Sequence, residues 1–144
     1  GHYNHYHHNL FIDSPCAIHL DNRMQNWGTG MVAPDGIIDQ RLKKVRHTEP
    51  PYSEAYPKLV NYWQEDPAYP HGNLIESNLF YRIGNVVHGE TQWAEFRNNW
   101  ITNDDPGFVN PDNPLEGFKT DANLFKYIPG FPPLPFDKIG SKLP

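Results

Sequence analysis

Asn4–Phe11 reads NHYHHNLF and Asn73–Phe80 reads NLIESNLF, so Asn4, Asn9, Leu10 and Phe11 return as Asn73, Asn78, Leu79 and Phe80 at an offset of 69 residues. The match runs on downstream: Ala17 and Ile18 fall on Val86 and Val87, His19 on His88, and Asp21 on Glu90. A weaker third copy begins 21 residues later, where Asn99 aligns with Asn78 and Ile101 with Phe80, while Ala94 replaces the earlier asparagine. A step of about 20 to 25 residues suits one turn of a parallel β-solenoid, in which no coil buries its inner face alone. Asparagines at fixed positions fit that expectation, because stacked amides hydrogen-bond along a column and asparagine tolerates the left-handed geometry of a corner. The expected fold is therefore all-β, a parallel β-helix of about three coils.

An offset of 69 is one coil of 21 plus an insertion of 48 residues, placed at 24–72 between coil segments 1–23 and 73–103. Two short helices are expected in the insertion. Asp35–Arg46 puts Ile38, Leu42 and Val45 at helical spacing with a basic C-terminal end, which the helix dipole favours. Ser53–Glu65 offers Ser53 as a cap and Leu59, Tyr62 and Trp63 on one side, with Pro57 limiting where the regular part begins. Residues 104–144 hold eight of the fifteen prolines, so strands cannot dominate there. Phe108, Phe118, Phe125, Tyr127, Phe131 and Phe136 are spaced to cover the end of the stack and hide the last strand edge. This segment is expected to be a C-terminal cap. Gly1 opens almost directly onto Asn4, leaving the first coil uncovered, so the 144 residues are expected to form one domain that is the C-terminal part of a longer solenoid.

Composition narrows the function. Leu, Ile, Val and Phe total 33 of 144 residues, enough for a core. No apolar run approaches the roughly 20 residues that span a bilayer. Seventeen acidic against twelve basic residues give a net charge of −5, so no broad basic surface is available for nucleic acid. Cys16 is the only cysteine, which excludes an intrachain disulfide.

The segments NLFIDSPCAIHLDNR (9–23), EAYPKLVNYWQEDPAYPHGNLIESNLF (54–80), DPGFVNPDN (105–113) and IPGFPPLPFDKIG (128–140) resemble the C-terminal region of right-handed parallel β-helix proteins among secreted bacterial carbohydrate-active enzymes. The likeness is greatest to large β-helix glycoside hydrolases, including those acting on fucosides and xylans of plant cell walls. It is more distant to β-helix polysaccharide lyases. The resemblance implies a secreted or periplasmic bacterial enzyme that binds an oligosaccharide or polysaccharide on the outside of its coils, continues into upstream coils of the same parent protein, and requires no cofactor.

The residues that could carry chemistry lie on the paired segments AIHLDNR (17–23) and VVHGETQ (86–92). Side chains alternate along a strand, so His19, Asp21 and Arg23 share the outer face while Ile18 and Leu20 point inward. The same register puts His88, Glu90 and Gln92 one coil along, about 4.8 Å away. Asp21 and Glu90 at roughly 5 Å would match the acid/base and nucleophile of a retaining glycosidase. Their mutual repulsion would raise one pKa and leave the other group ionised. Arg23 offsets negative charge, and His19 and His88 offer hydrogen bonds to sugar hydroxyls or hold a carboxylate. A β-bulge near Gly89 would shift the register and abolish the pairing. The alternative is a solvated ladder of polar side chains with no chemistry.

Trp27, Tyr52, Tyr56, Tyr62, Trp63 and Tyr69 belong to the insertion that begins just after Asp21, and Trp27, nearest in sequence to Asp21, is the candidate ring for sugar C–H groups. Tyr62 and Trp63 are expected to pack the insertion. His2, His5, His7 and His8 lack the partners of a zinc site and read as an exposed first strand. Asp104 and Asp105 before Pro106, with Asp112, read as a tight turn more readily than as a calcium site, so no metal is assigned. Three functions follow in order: part of a glycoside hydrolase, a binding or structural stretch of the solenoid, and a polysaccharide lyase, for which the outer face offers Arg23 but no lysine as a base.

Overall fold

A computed structural model describes residues 1–139. The last five residues of the expected cap, 140–144, lie outside the described residues. Among the described residues eight short strands dominate: β1 (His5–His7), β2 (Leu10–Ile12), β3 (Cys16–Leu20), β4 (Asn73–Glu76), β5 (Leu79–Tyr81), β6 (Asn85–Gly89), β7 (Ala94–Arg97) and β8 (Trp100–Thr102). They form three sheets, ordered β1-β4-β7, β2-β5-β8 and β3-β6. Pairing is parallel with His5 opposite Leu74, Leu10 opposite Leu79 and Leu79 opposite Trp100. These are steps of 69 and 21 residues, the two offsets of the sequence repeat.

The described residues divide into two compact units. One comprises Gly1–Asn4, His19–Asn73 and His88–Ala94; the other comprises His5–Ile18, Leu74–Val87 and the chain from Glu95. In the second unit Asn9 donates its backbone N–H and its Nδ2 to Oδ1 of Asn78, each at 2.9 Å. Asn78 in turn donates both groups to Oδ1 of Asn99, each at 3.0 Å. The Asn78 amide also reaches the carbonyl of Tyr6 at 2.9 Å. In the first unit Asn4 repeats the contact with Asn73. Contrary to expectation, the asparagines of the hydrogen-bonded column do not occupy the left-handed corners. The residue before each does: His8, Ser77 and Asn98 have φ of 53°, 54° and 49°. The turn costs roughly 1 kcal/mol or more at His8 and Ser77 and less at Asn98, since asparagine visits that region readily, and the following amide locks it.

Phe11 and Phe80 stack with centroids 4.9 Å apart and planes 5° from parallel, and Phe80 is fully buried. On the opposite face of the same sheet, Leu10, Leu79, Trp100, Ile12 and Tyr81 pack against Phe108, Leu124, Ile128 and Phe131. Tyr127, at the end of a short helix (Asn123–Tyr127), stacks on Trp100 at 4.3 Å, and Phe131 meets the ring of His8 at 5.8 Å. The C-terminal segment thus lies along the flat of β2-β5-β8 rather than across its end, and Ile101 on the last strand stays 60% exposed. Its aromatics find more apolar area on a three-strand face than on one strand edge.

In the insertion, α1 (Ile37–Val45) ends at Arg46 in the left-handed conformation, close to the expected limits. Ser53 is not a cap. Pro51 precedes α2 (Tyr52–Ala55), and Pro57 opens a separate 3-10 turn through Asn61, because proline cannot supply the N–H that would continue α2.

Candidate functional site

In the first unit, His19 faces outward between buried Leu20 and, from the adjoining part of β3, buried Ile18. Its ring lies 5.2 Å from that of His88. Gly89 follows at φ +93°, where an added Cβ would run into the carbonyl oxygen of Leu20. Only glycine suits that combination of close approach and positive φ. No register slip results: the N–H of Glu90 donates to the Leu20 carbonyl at 3.0 Å, keeping Glu90 beside Asp21 in the ladder.

Each carboxylate is held by its own neighbours. Asp21 accepts the backbone N–H of Arg23 on Oδ1 and Nε of Arg23 on Oδ2, both at 2.6 Å, and the Nη2 group completes the ion pair. These bonds, and then the guanidinium charge with a smaller contribution from His19, lower the Asp21 pKa from the usual 3.8 to about 2. Arg23 shifts upward in response, by the same hydrogen bond. Glu90 accepts from Gln92 at 2.6 Å and from Nδ2 of Asn22 at 3.2 Å. Among the described residues no hydrogen bond joins Asp21 to Glu90. Of the two carboxylates, Asp21 is thus the one held ionised, and the cause is Arg23.

Trp27 follows the 3-10 turn Arg23–Gln25 and is 73% exposed, with the Arg23 guanidinium 5.7 Å from its ring centre. Tyr52 and Tyr56 pair at 5.9 Å and are exposed at 37% and 58%. Tyr62 is half-buried against Trp63 at 5.2 Å and His2 at 5.6 Å, and burial raises its phenol pKa. Tyr69 and His71 close on Trp93 at 5.0 and 4.5 Å. A hollow of about 240 Å³ is lined by Gly1, Asp21, Arg23 and Met24, with Glu90 outside its lining.

Asn22, which the sequence did not single out, and Gln92, to which it gave a face but no role, complete the arrangement. Asn22 touches Glu90 and also accepts from Asn26, tying the segment after β3 to the 3-10 turn. Gln92 stands to Glu90 as Arg23 stands to Asp21, two residues on, a correspondence visible in the 69-residue repeat. Among the described residues no group of three or more His, Cys, Asp or Glu side chains is gathered as for a metal ion. His5 pairs with Glu76 on the exposed strand β1, and Asp105 accepts the N–H groups of Gly107 and Phe108 in a tight turn. No described helix is long and apolar enough to cross a membrane. No family model, no curated protein and no solved structure gives a significant match to the chain.

Proposed function

We propose that this chain is the C-terminal part of a right-handed parallel β-helix glycoside hydrolase, secreted or periplasmic in a bacterium, that acts on plant-type polysaccharide. Support for about three coils comes from strands recurring in the same order at the 69- and 21-residue steps of the repeat. The observation that carries the carbohydrate reading is Trp27. An indole left 73% exposed and adjacent to a guanidinium is a platform for the apolar face of a sugar ring. His19, His88 and Arg23 supply polar groups for its hydroxyls.

Asp21, ionised throughout the working pH range of such an enzyme, is unsuited to donate a proton. In a retaining mechanism it would attack the anomeric carbon while Glu90 protonates the departing oxygen; Glu90 would then take a proton from the water that cleaves the glycosyl-aspartate ester. One observation favours a second reading, in which the face binds oligosaccharide without cleaving it: both oxygens of Asp21 are already engaged by Arg23. A lyase ranks lower, because the same ion pair holds Arg23 protonated and unfit as a base.

The test combines tryptophan fluorescence binding with reducing-end release, using neutral xylan- and fucoside-type oligosaccharides and uronic-acid oligosaccharides in parallel. Hydrolysis abolished by Asp21→Asn and by Glu90→Gln, with binding retained, supports the hydrolase. Binding lost in Trp27→Ala, with no cleavage by the parent chain, supports the binding reading. Absence of binding to any of these sugars overturns both.

A further inference from the structure

β7 closes one side of the sheet β1-β4-β7, and its outer edge has no strand beside it among the described residues. The backbone N–H of Ser77 donates to the carbonyl of Arg97 at 3.0 Å, so the peptide groups of Arg97, and of Glu95 two residues before, point into the sheet. Those of Phe96 point outward from the edge. The Phe96 side chain is 45% exposed, although the 21-residue step aligns it with fully buried Ile75. On the neighbouring sheet Ile101 is 60% exposed where its partner Phe80 is fully buried. The last strands therefore show water an apolar surface that earlier strands bury, next to an unpaired edge. Such edges pair with further strands unless charge or proline blunts them.

The charges here suit one occupant. Glu95 and Arg97 flank Phe96 on the face opposite its ring, with Nε and Oε1 2.7 Å apart. If a second β7 approaches antiparallel about Phe96, each Glu95 comes opposite the other copy's Arg97. The two Phe96 residues exchange both backbone hydrogen bonds, because theirs are the peptide groups that face outward. A two-fold axis makes the same patch serve both sides. We propose that two copies of this chain associate through antiparallel pairing of β7, with Phe96 on the axis. A parallel approach in register would instead set Glu95 and Arg97 against like charges, which disfavours it.

The test is sedimentation velocity on the full chain over a wide concentration range. A reversible dimer is expected, with Arg97→Glu weakening it by at least about tenfold through like-charge opposition across the axis. The double swap Glu95→Arg with Arg97→Glu should restore it, since the opposed pairs re-form with signs exchanged. Phe96→Cys on a Cys16→Ser background should give an intermolecular disulfide, as a hydrogen-bonded antiparallel pair places its Cα atoms about 5.5 Å apart. Far-UV circular dichroism identifies any variant that fails to fold. A chain that stays monomeric at every concentration overturns the proposal. So does a dimer that is indifferent to the charge reversal and does not cross-link.

Discussion

Asn78→Ala should be among the most damaging single changes to this chain that involve no apolar side chain. Asn78 is fully buried, and its side chain makes four hydrogen bonds: two accepted from Asn9, one donated to the Tyr6 carbonyl and one donated to Asn99. Truncation strips the side-chain partner from two backbone groups, the Asn9 N–H and the Tyr6 carbonyl. At about 1.5 kcal/mol for each backbone group left without its partner, the loss is about 3 kcal/mol. For a chain of this size that lowers the unfolding midpoint by about 9 °C. Asn9→Ala is the internal control, since Asn9 is exposed and its amide donates one bond; its expected cost is about 1 kcal/mol. Asn78→Asp is the sharper variant. It keeps the shape and one acceptor, but turns an oxygen toward Tyr6 O and Asn99 Oδ1, so it should be less stable than alanine at neutral pH and recover partly when protonated. Thermal unfolding followed by circular dichroism measures all three. The reasoning fails if Asn78→Ala costs no more than Asn9→Ala, or if the aspartate variant matches the parent at neutral pH.

Arg23→Ala should return the Asp21 pKa from about 2 toward 3.8, read by carboxyl NMR titration; an unmoved value would show that Arg23 is not its cause. A carboxyl whose folded pKa is depressed stabilises the fold above its unfolded pKa. The Asp21 contribution should therefore fade as pH drops from about 3.8 toward 2, and that part of the acid dependence should vanish in the Arg23 variant. Gly89→Ala should cost about 2 kcal/mol from backbone strain and contact with the Leu20 carbonyl. Urea unfolding measures it, and a neutral substitution would mean that the strand end adjusts freely.

The strand register was legible because the repeat conserves chemistry at fixed positions: Asn9, Leu10 and Phe11 lie against Asn78, Leu79 and Phe80. The corners were not legible, because residue preference alone does not fix left-handed backbone. His8 and Ser77 take it where the asparagine that follows bonds across the stack, a tertiary effect no propensity carries. The spacing of the C-terminal aromatics marks them as a cover, but it does not encode which surface they cover. At the candidate site, the outward histidine pair and the adjacency of the Asp21 and Glu90 segments could be read from alternation. Arg23 could also be read as the charge beside Asp21, but not the geometry of the contact, because a strand pattern ends where the chain turns. Arg23 folds back on Asp21 through a 3-10 turn rather than continuing the strand.

The asparagine column also bears on the order of folding. Its two rungs in the second unit close loops of very different length, 21 residues from Asn78 to Asn99 and 69 from Asn9 to Asn78. Closing the longer loop costs about 1 kcal/mol more chain entropy. The Asn78–Asn99 rung can therefore nucleate early, with β5 and β8 as a template, and the N-terminal strands dock onto an edge already in place.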